Sequence, residues 1–168
     1  EARRMALHIA TILGDLAKEI VIVGGLVPYL IVDQERVPEQ HVGTRDVDLG
    51  LSIGVLTEDR YREISRRLRD RDFHPALSKE GNQRRQTWPL RDERITVDFL
   101  IGPTEGAAPG RLQNLEGDFA AFVTPALPLA FVDTITVTID ERTPDGERAK
   151  RNVRVAGPAA FIVLKAHA

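Results

Sequence analysis

The sequence predicts an α+β fold with a mixed, twisted sheet flanked by helices, and three observations predict it. Residues 44–53 and 94–101 alternate apolar and polar side chains, the mark of strands with one buried face. A short β-branched run, Ile20-Val21-Ile22-Val23, stops at Gly24-Gly25 and reads as a buried strand feeding a helix. Taken along the chain, the order is helix, strand, helix, strand, helix, several strands, helix.

Each element has its own signal. Met5, Leu7, Ile9, Ile12, Leu13 and Leu16 approach helical spacing over residues 3–19, weakened at Gly14. After the Gly-Gly turn, residues 26–32 read as a helix with Pro28 in its first turn, the place where proline is tolerated. Residues 33–43 are polar and loop-like. Val47, Leu49, Leu51 and Ile53 then point one way, and Thr44, Asp46, Asp48 and Ser52 the other. Thr57 is expected to cap a helix reaching about Arg71, with Glu58 and Asp59 well placed against the helix dipole. Residues 73–77 and 86–90 read as short strands, and Ile95, Val97, Phe99 and Ile101 form the buried side of the next. The Gly- and Pro-rich stretch 102–117 reads as a loop. Residues 131–140 and 151–156 read as two strands of a long charged hairpin turning at Pro144-Asp145-Gly146. Gly157-Pro158 opens a final helix over residues 159–168.

Composition narrows the class. With 42% hydrophobic and 29% charged residues, a chain of 168 residues can bury a core without staples. Cysteine is absent, so disulfides and thiolate metal sites are excluded. No apolar run approaches the roughly 20 residues that cross a bilayer, and Glu1-Ala2-Arg3-Arg4 lacks a signal-peptide pattern, so a cytoplasmic protein without membrane partners is expected. A net charge of −2 gives no bulk attraction to nucleic acid. The arginines nevertheless cluster, at Arg60, Arg62, Arg66, Arg67, Arg69 and Arg71, and again at Arg84, Arg85, Arg91 and Arg94. Arginine suits phosphate, but the same runs read more readily as solvated faces, the usual fate of exposed charge. His8, His41, His74 and His167 show no zinc-ligand spacing.

Asp46-Val47-Asp48 is the sharpest chemical feature. Residues i and i+2 of a strand share a face about 7 Å apart, so the two carboxylates repel unless a cation lies between them. A divalent ion bound by one or two carboxylates, phosphate oxygens and water is a natural solution. Asp-x-Asp alone also reads as two exposed aspartates. Three further features add weight. Gly24-Gly25 lets phosphate approach backbone at a helix start. Thr44 and Arg45 adjoin the aspartates with phosphate-binding groups. Asp98 sits between Val97 and Phe99, where an aspartate needs a partner.

The pattern Val23-Gly24-Gly25, Thr44-Arg45-Asp46-Val47-Asp48-Leu49 and Val97-Asp98-Phe99-Leu100 resembles the nucleotidyltransferase superfamily with the DNA polymerase β-like fold. Within it, Gly-Gly and Thr-Arg-Asp-x-Asp look most like the AbiEii/MenT group, toxin components of toxin–antitoxin and phage-defence systems. The resemblance covers about residues 20–101, with a looser match at 158–168, where Leu164-Lys165-Ala166 is similar to the group's lysine-bearing helix. It implies that Asp46, Asp48 and Asp98 hold Mg²⁺ or Mn²⁺, with Asp98 alternatively acting as base toward the acceptor hydroxyl. It also implies that Gly24 and Gly25 cradle the phosphates of a nucleoside triphosphate. Thr44 and Arg45 would contact phosphate or order the loop, and Lys165 would reach the triphosphate. The implied acceptor is RNA, with the 3′ end of tRNA as candidate, and the implied partner is a cognate antitoxin protein. Residues 1–156 would form the core with a hairpin insertion at about 131–156. Residues 157–168 would begin a helical segment that continues further in the group. Two alternatives remain at this point: nucleotidyl transfer to a small molecule such as an antibiotic, and a non-catalytic protein that binds nucleotide or a partner.

Overall fold

The computed structural model describes residues 1–33, 44–52, 57–90, 95–104 and 106–167. Expectations placed on residues 34–43, among them His41, and on Ile53, Arg91 and Arg94 lie outside the described residues. Within them the fold is α+β, a mixed eight-stranded sheet with five helices. In chain order these are α1 (Ala2–Leu13), β1 (Ile20–Val23), α2 (Val27–Ile31), β2 (Asp46–Leu51), α3 (Glu58–Arg69), β3 (Ala76–Leu77), β4 (Gln83–Arg84), β5 (Thr87–Pro89), β6 (Thr96–Ile101), β7 (Leu112–Glu116), β8 (Phe119–Val123), α4 (Leu127–Val132), β9 (Thr134–Arg142), β10 (Arg148–Ala156) and α5 (Pro158–Ala166). Among the described residues no helix is long and apolar enough to cross a membrane.

The sheet runs β7-β8-β6-β2-β1-β10-β9, and β5 pairs with β6 as the eighth strand. Pairing is parallel for β1 with β10, β2 with β6 and β6 with β8, and antiparallel elsewhere. The outer edge of β6 is shared: β5 lies opposite Thr96–Asp98, and β8 opposite Leu100 and Ile101. Strand pleating then decides what each face carries. Val47, Leu49 and Leu51 of β2 and Val97, Phe99 and Ile101 of β6 are all buried. On that side Trp88, Phe99 and Phe119 meet edge to face, with ring centroids 4.9–6.0 Å apart, and Tyr61 of α3 leans on Phe119. The opposite face of β2 carries Asp46, Asp48 and Gly50. Helix α4 lies directly on Gly50, where a Cβ would come within 2.8 Å of Leu127 Cδ1 and 2.9 Å of Val21 Cγ1.

Several expectations change in detail. The first helix stops at Leu13 and continues as a 3-10 turn, because Gly14 adopts φ 54°. Thr57 occupies the cap position of α3, but its hydroxyl makes no capping bond; its carbonyl accepts from the N–H groups of Arg60 and Tyr61 instead. The stretch 102–117 contains strand β7, and β4 and β8 are strands that the periodicity did not mark. Phe131 and Val132 close helix α4 instead of opening a strand. The hairpin of β9 and β10 is continuous with the main sheet, since β10 pairs with β1 at Ile22 and Val155.

Candidate functional site

Strand register builds the site. The parallel pairing of β2 with β6 sets Asp46 opposite Thr96 and Asp48 opposite Asp98. Neighbouring strands lie roughly 4.8 Å apart, so Asp48 and Asp98 stand side by side with Asp46 one pleat away. The antiparallel pairing of β5 brings Thr87 opposite Asp98. Thr96 Oγ1 donates to Asp46 Oδ1 at 2.7 Å, and Thr87 Oγ1 donates to Asp98 Oδ1. None of the three carboxylates has an ion-pair partner among the described residues.

The electrostatics record that crowding. Burial is the largest influence on Asp48, followed by the charges of Asp98 and Asp46; opposed by Lys165, they push its carboxyl up from 3.8 to about 6. Asp98 is also raised, first by burial; the Thr87 hydrogen bond opposes this, the Asp46 charge adds to it, and Arg84 opposes it.

At the end of β1, Val23 pairs with Asp48, and the chain turns away through Gly24 at φ 69°. A Cβ on Gly24 would lie 1.8 Å from Asp48 Oδ2, so only glycine lets this carboxylate rest against the turn. Gly25 faces Thr44, whose Cβ and Oγ1 would both be 3.3 Å from an added Cβ. Thr44 Oγ1 in turn accepts from the Asp46 N–H at 3.2 Å.

A cleft of about 580 Å³ opens here, lined by Gly24, Gly25 and Asp48 and, across from the strands, by Phe161, Leu164 and Lys165 of α5. Its volume is that of a small-molecule site. Helix α5 is pinned by Asp133, whose Oδ2 accepts from the Ala160 N–H at 2.8 Å. A Cβ on Gly157 would sit 2.1 Å from Asp133 Oδ1, so this contact too requires glycine.

Gly24, Gly25, Thr44, Asp46, Asp48 and Asp98 are therefore adjacent, and Lys165 lines the same cleft as Asp48. Thr44, Arg45, Asp46 and Asp98 are not among the residues lining the cleft; Arg45 and Asp46 are exposed, and the Arg45 carbonyl accepts from the Thr96 N–H at 3.2 Å. Sequence reasoning did not find Thr87 and Thr96 as carboxylate partners, or Phe122, Thr124 and His167 as lining residues. Phe122 belongs to the short, alanine-rich run Phe119-Ala120-Ala121-Phe122-Val123, whose apolar character without alternation gives only a weak strand signal. The α3 arginines are spent elsewhere. Arg62 pairs with Glu58 and Asp59, Arg66 with Glu63 and Asp70, Arg67 with Glu63 and Asp15, and Arg69 with Asp118.

As the side chains stand, no group of three His, Asp or Glu residues among the described residues could hold a metal ion. Mg²⁺ does not need such a ring: it takes one or two carboxylates and draws its remaining ligands from phosphate and water. The all-oxygen donor set and the uncompensated charge on Asp46, Asp48 and Asp98 fit that ion or Mn²⁺. A scan against protein-family models finds no match, and searches of curated proteins and of solved structures find none either.

Proposed function

We propose that this chain is a nucleotidyltransferase, on a fold of the DNA polymerase β-like type, that moves a nucleoside monophosphate from a nucleoside triphosphate to an acceptor hydroxyl. One observation carries the reading: Asp48, which lines a cleft bounded by the Gly24-Gly25 turn, stands in register beside Asp98 and one pleat from Asp46, and none of the three forms an ion pair among the described residues. In the reaction the acceptor oxygen bonds to the α-phosphorus, the bond to the pyrophosphate oxygen breaks, and the acceptor proton leaves to a base. Mg²⁺ or Mn²⁺, taking one or two carboxylates from among Asp46, Asp48 and Asp98, would neutralise developing charge on the phosphates. The Gly24 turn lets the Asp48 carboxylate rest against backbone, and Gly24 and Gly25 both line the cleft where the phosphates would lie. Lys165 faces the same cleft with a cation for the phosphate chain. Asp98, whose carboxyl burial raises, is the alternative candidate for the base that takes the acceptor proton.

RNA as acceptor, and a toxin role with an antitoxin partner, rest on the resemblance alone, because the α3 arginines are already paired with acids. A second reading, transfer to a small molecule, is favoured by the concave, mostly apolar cleft, which differs from a basic groove. The test uses Mg²⁺, each α-labelled nucleoside triphosphate in turn, and total tRNA or a panel of hydroxyl-bearing small molecules. An Asp46→Ala, Asp48→Ala double variant is the control. Label moving to an acceptor with the wild type and not with the control supports transfer and identifies the acceptor. Equal label movement in both proteins, or nucleotide binding with no transfer to any acceptor, overturns it.

A further inference from the structure

Two threonines bracket the carboxylate row, one on each side. Thr87 reaches Asp98 from β5, across an antiparallel pair. Thr96 reaches Asp46 from β6, across a parallel pair. Two strands of opposite sense thus deliver the same device to the two outer acids of one cluster. An ionised carboxylate only accepts hydrogen bonds, so each hydroxyl must donate. Donation to one oxygen fixes the carboxylate plane and leaves the second oxygen to be aimed. Asp48 is constrained differently, by the Gly24 backbone against its Oδ2. Threonine suits this task because its β-branch leaves χ1 few choices. Like-charge repulsion favours rotation of Asp46 and Asp98 away from Asp48, and these two hydrogen bonds oppose it.

We infer that Thr87 and Thr96 are positioning residues that hold Asp98 and Asp46 in the orientation that receives a divalent cation. The inference rests on the proposed metal-binding reading of the three aspartates. Partners that orient metal-binding side chains typically govern about 10–100-fold in metal affinity. Removing either hydroxyl should therefore weaken binding by that range while the metal-free fold persists.

The experiment titrates Mn²⁺ into the full chain without nucleotide and follows free Mn²⁺ by electron paramagnetic resonance. Wild type is compared with Thr87→Val, Thr96→Val, Thr87→Ser, Thr96→Ser and Asp48→Asn, each checked by circular dichroism. If a valine variant fails to fold, the alanine variant at that position is titrated in its place. The expected result is a roughly 10–100-fold loss in the hydroxyl-free variants and near-wild-type affinity in the serine variants. Wild-type affinity in the hydroxyl-free variants overturns the inference and leaves the metal reading standing. A loss in the serine variants equal to that in the valine variants also overturns it, because packing and not the hydroxyl would then be responsible. If wild type shows no saturable Mn²⁺ binding, or Asp48→Asn binds equally well, the metal reading falls and takes the inference with it.

Discussion

Helix α3 and the β2–β6 carboxylate row are both densely charged, and they sit on opposite faces of the same sheet. On α3 acids and arginines are interspersed along the exposed surface and satisfy one another, at 2.6 Å for Arg66 with Asp70 and 2.7 Å for Arg67 with Glu63. At the row, three charges of one sign are set side by side, and one of them is buried enough to be pushed to about 6. The first arrangement is what a solvated helix face does with charge, and each pair contributes little. The second costs stability by itself and persists in a fold that could have placed neutral residues there. Like charge gathered without ion pairs beside a cleft is therefore what the proposed site rests on, and charge density alone is not.

The largest test of that contrast replaces half-buried Asp48. Asp48→Asn is expected to lower nucleotidyl transfer by on the order of 10²–10³-fold, measured by label transfer, while the metal-free protein becomes more stable. A variant that loses activity and stability together would break the contrast.

Next in size is a pH dependence. The folded state keeps the Asp48 proton above the pKa of the unfolded chain, so between about pH 4 and about pH 6 the folded state binds more protons. Metal-free stability should therefore fall as pH rises through that window, by roughly 3 kcal/mol at most. Urea unfolding at stepped pH measures it, and Asp48→Asn should flatten the slope. Added Mg²⁺ should raise the thermal midpoint above about pH 6 and progressively less below it, since cation and proton compete for one carboxylate.

Gly24→Ala introduces a Cβ 1.8 Å from Asp48 Oδ2 at a positive φ. It should cost about 1–3 kcal/mol in urea unfolding and impair transfer by displacing Asp48. Wild-type transfer in this variant would detach the glycine turn from the site.

A smaller effect comes from His8, buried on α1 with Nδ1 3.8 Å from Asp145 Oδ2 at the hairpin tip. Burial, aided by Arg71 and opposed by Asp145 and Glu147, lowers its pKa below 6.5. The neutral form is favoured in the fold, so its contribution is present above pH 6.5 and lost as pH falls through the folded value. The Asp48→Asn background removes the opposing trend, and there the thermal midpoint should drop on acidification less steeply in His8→Gln than in its parent. The smallest effect is expected on α3: Arg66→Ala should leave both transfer and thermal midpoint at the wild-type level, because its partners Glu63 and Asp70 are solvated.

Much of this architecture was legible in local pattern. Period-two alternation located β2 and β6 and assigned Asp46, Asp48 and Asp98 to the face away from Val47 and Phe99, since pleating is a property of the strand alone. Pro158 and Gly157 marked the start of α5 for equally local reasons. Strands β7 and β8 were hidden because Leu112–Glu116 has no clean alternation and Phe119–Val123 is short and alanine-rich; pairing in the sheet makes them strands. The α3 arginines looked available in one dimension. Glu63 and Asp70 stand at helical spacing from Arg66, but Asp15 and Asp118 come from distant elements, and only packing made them partners.

By itself, then, the sequence determined the alternation of faces, the glycine turn after β1 and the identity of the acidic residues, because each depends on backbone geometry within a few positions. The tertiary structure decided that β6 lies parallel beside β2 in the register that puts Asp98 next to Asp48. It decided that Thr87 arrives from a third strand, and that Lys165 lines the cleft from a helix more than a hundred residues further along. Those are long-range choices, set by which apolar faces bury one another, and no single segment carries the information to make them.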